Sequence, residues 1–435
     1  MTILFTGGSV VTMDPQLGDL ARGDVLISGS TITAVGADLR DHPEAAGATV
    51  VDTTGRIVTP GFVDTHRHAW QAQMRRTIPD VGDLGTYVMS TLARTAPAYT
   101  PHDMYVGTRL AALGALDAGI TTMLDFSHNS RTAAHSDAAI RGLADTGIRG
   151  VHASMGPHFG DWDRRWPADL TRLRSALPGL VTLRLGALAT DEVAGPALAY
   201  RPELAAVARD LDIDVSIDAV FGQASSAAIL GWEKQGLLGP GLSLIHATGL
   251  TPDAWRAIGA TGTTIALAPT SDTQIGLETA IPAVDEALQA GIRPGLSIDV
   301  EVALASDMFT QMRVLLAVQR MRAIGSAASR ITTRDVLGFA TLDGARSIGL
   351  GSVAGSLTPG KQADLVVVEA EAINNMPLND AVGTLVLGAD PRNICTVLVA
   401  GRTLKRDGVL VGLDLHELRR EVTASRDAIL RTAGS

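Results

Sequence analysis

Eight apolar runs, spaced by amphipathic or alanine-rich segments, limit what this chain can fold into more than any other feature. The runs are GFVDTH (61–66), ITTMLDF (120–126), IRGVHASM (148–155), VTLRLGAL (181–188), IDVSIDAV (213–220), LSLIHAT (242–248), TTIALAPT (263–270) and PGLSIDV (294–300). Between them lie stretches such as 104–119, 133–147, 202–212 and 283–291, several closed by the glycine expected just past a helix. A strand buried on both faces reads as a continuous apolar run, so eight strand-then-helix units predict an α/β fold, a (β/α)8 TIM-like barrel.

The ends of the chain read differently. Short β-prone runs at 3–13, 24–36 and 49–58 are separated by Gly, Asp and Pro, and further runs follow at 383–388 and 394–411. Each end alone has too few strands to bury a face, so the two are expected to combine. The predicted organisation is a composite β-sandwich domain from 1–58 and 356–435, closed by a charged C-terminal helix, and a catalytic barrel over 59–355.

Composition then narrows the function. The 435 residues carry a formal net charge of −10, which argues against a nucleic-acid or anionic-membrane surface and favours a small-molecule ligand. A single cysteine, Cys395, excludes an intrachain disulfide and a thiolate zinc cluster, so any metal must use His, Asp or Glu. The first residues lack a basic, then apolar, leader pattern and no long apolar span occurs, from which a cytoplasmic protein is expected.

Barrels collect functional groups at the carboxyl ends of their strands. His66 ends the first run with His68 just beyond, and residues two apart on a strand share a side, so both imidazoles can approach one ion. His246 ends the sixth run and Asp299 the eighth. These are ligand types that suit zinc or iron. The competing reading makes His246 a satisfied core histidine and Asp299 a helix cap. The loop at 156–167 carries His158, Trp162 and Trp166, which with Trp70 would form an apolar lid over a flat ring, or simply pack the loop.

The segments TPGFVDTHRH, GITTMLDFSH, LIHATGLT, LSIDVEVALASDMFTQMR and GSLTPGKQADLVV resemble those of the amidohydrolase superfamily, in the branch of triazine hydrolases, cytosine and guanine deaminases and adenosine-type deaminases. The resemblance implies one Zn²⁺ or Fe²⁺ held by His66, His68, a strand-five residue and Asp299. Asp299 would also carry a proton, His246 would contact the attacking water or developing oxyanion, and Gln71 would face substrate. A homodimer and a nitrogen-containing small-molecule substrate are the further implications.

This chain departs from the pattern at strand five. Where relatives carry a ligand His and, three residues on, an acidic Glu, LDIDVSIDAVFG places Ser216 or Asp218 and Ala219 or Phe221, depending on register. Asp218 would make a His2Asp2 site for zinc, iron or manganese; otherwise the barrel holds no ion and the same His/Asp cluster serves elimination, cyclisation or isomerisation, or the protein only binds a ligand. Glu301, Asp272, His128 and His158 are the candidate replacements for the absent Glu. The leading expectation is a metal-dependent hydrolase acting on a C–N bond of a nitrogen heterocycle or cyclic amidine.

Overall fold

The computed structural model describes residues 1–326 and 329–434. All eight apolar runs contribute strands, at Phe62–Arg67, Ile120–Ser127, Arg149–Ser154, Thr182–Leu188, Val215–Ala219, Leu242–His246, Thr264–Leu267 and Gly295–Leu296. They form one sheet whose strands follow chain order from first to eighth, with parallel register wherever strands three to eight pair. Each strand buries nearly every residue, which is why sequence periodicity vanishes in these runs.

The sheet closes where the eighth strand has already ended. Arg67 and Asp299 form an isolated parallel bridge: Asp299 N–H donates to the His66 carbonyl at 2.9 Å, and His68 N–H donates to the Asp299 carbonyl at 3.1 Å. The same short backbone stretch therefore seals the barrel and juxtaposes three candidate ligands. Helices follow the strands as the glycine signals predict; Ala133–Thr146, for example, ends at Gly147 in the left-handed region (φ 78°).

A second, nine-stranded mixed sheet draws on both chain ends, with Arg56–Pro60 paired antiparallel to Leu365–Glu369. Its buried side carries Phe5, Val25, Ile27, Val58, Leu365 and Leu398. One β-prone run is not a strand: residues 381–388 are helical because Asp380 caps them, its side chain accepting from Gly383 N–H and its carbonyl from Thr384 N–H. A local N-cap thus outweighs the β preference of Thr, Val and Leu there.

By contacts the chain divides into two compact units, one of residues 1–64, 114–122 and 307–412, the other of 65–113, 123–306 and 413–435. Residues 307–355 thus group with the mixed sheet, and the C-terminal helix groups with the strand ends that carry the candidate site. That helix, Leu415–Thr432, is more than a solvated face: Ser425 Oγ donates to Asp103 at 2.6 Å, and Ile429 joins Trp70, Met104 and Tyr99 in one apolar cluster. Among the described residues no helix is long and apolar enough to cross a membrane.

Helix Pro101–Asp117 packs closely on the segment that follows the His-x-His pair. Gly107 permits this, since a Cβ there would overlap the Trp70 carbonyl oxygen and the Gln73 side chain. Gly107→Ala is expected to destabilise the protein by about 1–3 kcal/mol, read as a lower denaturant midpoint at unchanged m-value.

Candidate metal centre

Strand one delivers His66 and His68 to a single carboxylate oxygen. His66 Nε2 and His68 Nε2 each lie 3.1 Å from Asp299 Oδ1. His246 Nε2 is 3.8 Å from Asp299 Oδ2 and 3.9 Å from Asp218 Oδ1. One ligand atom from each of His66, His246 and Asp299 falls within a 4.8 Å group, all three residues buried. Asp218 Oδ1 is buried and accepts no hydrogen bond. The sequence left Ser216 and Asp218 open for strand five; it is Asp218 that faces the cluster, while Ser216 receives the Arg184 guanidinium at 3.0 Å.

Hydrogen bonds assign the protons. His68 Nδ1 is 3.0 Å from the Phe126 carbonyl, which can only accept, so Nδ1 carries the hydrogen. In the neutral ring the Nε2 lone pair then points at an Asp299 oxygen 3.1 Å away. A lone pair and a carboxylate repel unless a cation lies between them, and a His/carboxylate donor set of this kind suits a divalent metal.

The charges around the cluster are unequal. Burial drives the His66 pKa down to about 3 and keeps that imidazole neutral. Burial also opposes ionisation of Asp299, but the imidazoles of His66 and His68 beside it and the proximity of His246 hold its carboxyl well below the usual range. His246 goes the other way. Burial works against its charge, yet Asp272, Asp299 and Asp218 surround it and raise its pKa to about 10. Its Nδ1–H donates to Asp272 Oδ1 at 2.8 Å, which aims Nε2 at the two other carboxylates.

Backbone conformation adds to this. His246 (φ 64°), Ala247 (φ 55°) and Asp299 (φ 67°) all occupy the left-handed region, which non-glycine residues seldom adopt. Such strain persists only where surrounding structure over-determines it, and it concentrates at functional sites.

The cluster floors a pocket with about 640 Å³ of empty space, its open mouth included. His128 stacks on His68 with ring centroids 3.9 Å apart, and His158 meets His128 edge-on at 5.1 Å. Both line the pocket, and burial lowers both pKa values, that of His158 to about 3.

Other expected substrate contacts lie elsewhere. Trp70 is fully buried and donates its indole N–H to His128 Nδ1 at 3.2 Å, so it orients a pocket residue from behind. Gln71 is buried too and donates to Tyr87 Oη at 2.7 Å; Tyr87 is the residue that reaches the pocket. Trp166 donates to Ser154 Oγ at the end of the third strand, which leaves His158 as the pocket-lining member of that aromatic segment.

Glu301 is withdrawn from the pocket altogether. Its carboxylate accepts from Arg67 Nη1 at 3.0 Å and from Arg75 Nε, with no solvent exposure. Physically, strand alternation turns Arg67 away from the side shared by His66 and His68, and its buried charge needs the nearest carboxylate. Tyr87, beyond the strand ends, escaped sequence reasoning; Asp272 and Phe221 were named there for the position of the absent Glu, whereas the structure makes Asp272 the partner of His246 and Phe221 a pocket wall.

A model of the amidohydrolase family matches residues 57–210 and 233–404. The chain belongs to the amidohydrolase family. The unmatched stretch between them, 211–232, contains the altered strand five. Among curated relatives, the chain is 29% identical to a 5-methylthioadenosine/S-adenosylhomocysteine deaminase of Symbiobacterium thermophilum, with 99% of each chain covered. It is 24% identical to a 5'-deoxyadenosine deaminase of Methanosarcina mazei over 100% of this chain and 99% of the other. Solved amidohydrolases share the fold: an atrazine chlorohydrolase from Arthrobacter aurescens TC1 complexed with zinc and atraton superposes with a TM-score of 0.87 at 22% identity, covering 98% of this chain and all of the other. An adenosine deaminase from Xanthomonas campestris with bound zinc gives 0.84 at 21%, covering 99% and 98%.

The ion triad behind the ligands generates a stability prediction. Burial alone would raise the Glu301 pKa, but Arg75 and Arg67 more than offset it and hold the carboxyl below its ordinary 4.5. Its stabilising contribution is therefore complete above about pH 4.5 and lost as pH falls through the depressed folded value. Glu301→Gln takes the carboxylate from the buried Arg67 guanidinium and the partly exposed one of Arg75 and should cost about 3–5 kcal/mol at neutral pH, with a flatter acid limb in the curve of stability against pH.

Proposed function

We propose that this amidohydrolase is a metal-dependent aminohydrolase that releases ammonia or an amine from a nitrogen heterocycle or cyclic amidine. The observation that carries this reading is the convergence of His66 Nε2 and His68 Nε2 on one oxygen of Asp299, with the His68 proton committed to the opposite nitrogen. His66, His68 and Asp299 would hold the ion, with Asp218 supplying a carboxylate in place of the strand-five imidazole. Zinc is the leading choice, as in the zinc-containing structural neighbours, with iron or manganese as alternatives for a shell this rich in oxygen. When bound, a divalent ion acidifies water enough to supply hydroxide near neutral pH.

The chain's own groups do the rest. Asp299 accepts the proton of the attacking water and returns it to the departing amine. His246, cationic and held by Asp272, stabilises negative charge as it develops on the substrate. Phe221 lines the pocket just past strand five, where relatives place an acid, so ring protonation falls to another group.

Two outcomes are expected. Protein purified without chelators should contain close to one equivalent of divalent metal and release ammonia from aminoheterocycles, both lost in His66→Ala and His68→Ala; metal-free protein that gains no activity with Zn²⁺, Fe²⁺ or Mn²⁺ would remove the proposal. Asp272→Asn keeps a hydrogen bond to His246 but not its charge, and should lower kcat roughly 10–100-fold.

The carboxylate in place of a strand-five imidazole favours one second reading, in which the His/Asp cluster passes protons without an ion for elimination, cyclisation or isomerisation. Turnover in H2¹⁸O separates the two, because hydrolysis of a C–N bond must place label in the product.

A further inference from the structure

The pocket is built from two kinds of surface. Its floor carries His68, His128, Asp218, His246 and Asp299, and its walls include Val88, Leu92, Val220, Phe221, Ile275 and Leu277. Among the described residues no Lys, Arg or Glu lines it. Nearby guanidinium groups are engaged elsewhere: Arg67 and Arg75 bind Glu301, and Arg131 donates to the carbonyls of Ala96, Phe159 and Asp161. The Gln71 side chain does not line the pocket, and its amide N–H donates to Tyr87.

We propose, resting on the aminohydrolase reading, that the substrate is an uncharged heteroaromatic amine with an apolar substituent, and that the pocket discriminates against hydroxylated or anionic ones. The aminated ring would meet the polar floor while the substituent lies along the aliphatic and Phe221 walls. An ionised carboxylate tail lying along the walls would meet no Lys or Arg there, since His246 sits in the floor bonded to Asp272, with Asp218 and Asp299 beside it. A sugar diol would have to bury hydroxyls against Val and Leu side chains, where unmet hydrogen bonds are penalised. Among the described residues, the hydroxyl-bearing side chains that line the cavity are Thr190, Ser271 and Tyr87, the last bonded to Gln71. Phe221 is central, because one substitution removes an acid from the wall and supplies a ring against which apolar groups pack.

The full-length, metal-loaded protein can be tested with matched 9-substituted adenines and aminopyrimidines bearing ethyl, butyl, benzyl, ribosyl or carboxyethyl groups. Melting-temperature shifts report binding, and ammonia release reports turnover. Affinity is expected to rise about 3–5-fold per added methylene, with benzyl above ribosyl and no shift from the carboxyethyl compounds. Phe221→Glu should weaken the benzyl probes at least 10-fold while sparing the ribosyl ones; Leu92→Asn serves as the second wall variant and should act in the same direction.

Ribosyl or carboxyethyl probes that bind as well as butyl or benzyl would overturn the inference, as would a complete lack of shift across the series. Apolar probes that bind in the expected order without releasing ammonia would uphold the specificity and refute the deaminase reading instead.

Discussion

Two backbone hydrogen bonds organise the centre of this protein. The Asp299 amide reaches the His66 carbonyl and the His68 amide reaches the Asp299 carbonyl, closing the barrel after the regular pairing of strand eight has ended. Because side chains follow the backbone, that closure forces two imidazoles and a carboxylate into contact. The left-handed Asp299 backbone belongs to the same turn, where strain is tolerated because both neighbours are tied down. Beneath it, Arg67 projects away from the pair and meets Glu301, two residues beyond Asp299, so an ion pair with no solvent exposure holds the seam from the other side. Buried pairs of this kind add little net stability over apolar packing, but they penalise any register in which the partners separate.

The electrostatics of the centre follow from this geometry. His66 and His68 share one carboxylate, whereas His246 is surrounded by three. Similar desolvation therefore leaves the first ring neutral and the sixth-strand ring charged, and the division between ligand and charge-stabilising roles rests on that contrast. Asp218 extends the acidic side of the cavity, where His246 Nε2, 3.9 Å away, faces it.

The fold was legible because buried parallel strands need uninterrupted apolar runs, and all eight could be counted in the sequence. The metal-centre residues were legible for a related reason: His66, His246 and Asp299 end such runs, and strand ends of one barrel must meet. Reading failed where a side chain's direction depends on a partner distant in sequence. Glu301 looked available for catalysis until Arg67 and Arg75 claimed it, and Gln71 until Tyr87 did. Residues 383–388 have β-prone composition, yet the Asp380 cap makes them helical.

From its amino acids alone this chain was committed to a parallel barrel, to building any metal site without thiolates and to a departure at strand five, since composition, run length and residue type are local properties. Tertiary structure alone decided that Asp218 rather than Ser216 faces the cluster, that Asp272 charges His246, and that Phe221 and aliphatic side chains wall the pocket. Those outcomes depend on which atoms meet across tens of residues, and burial turns each meeting into a shifted charge or an unmet bond.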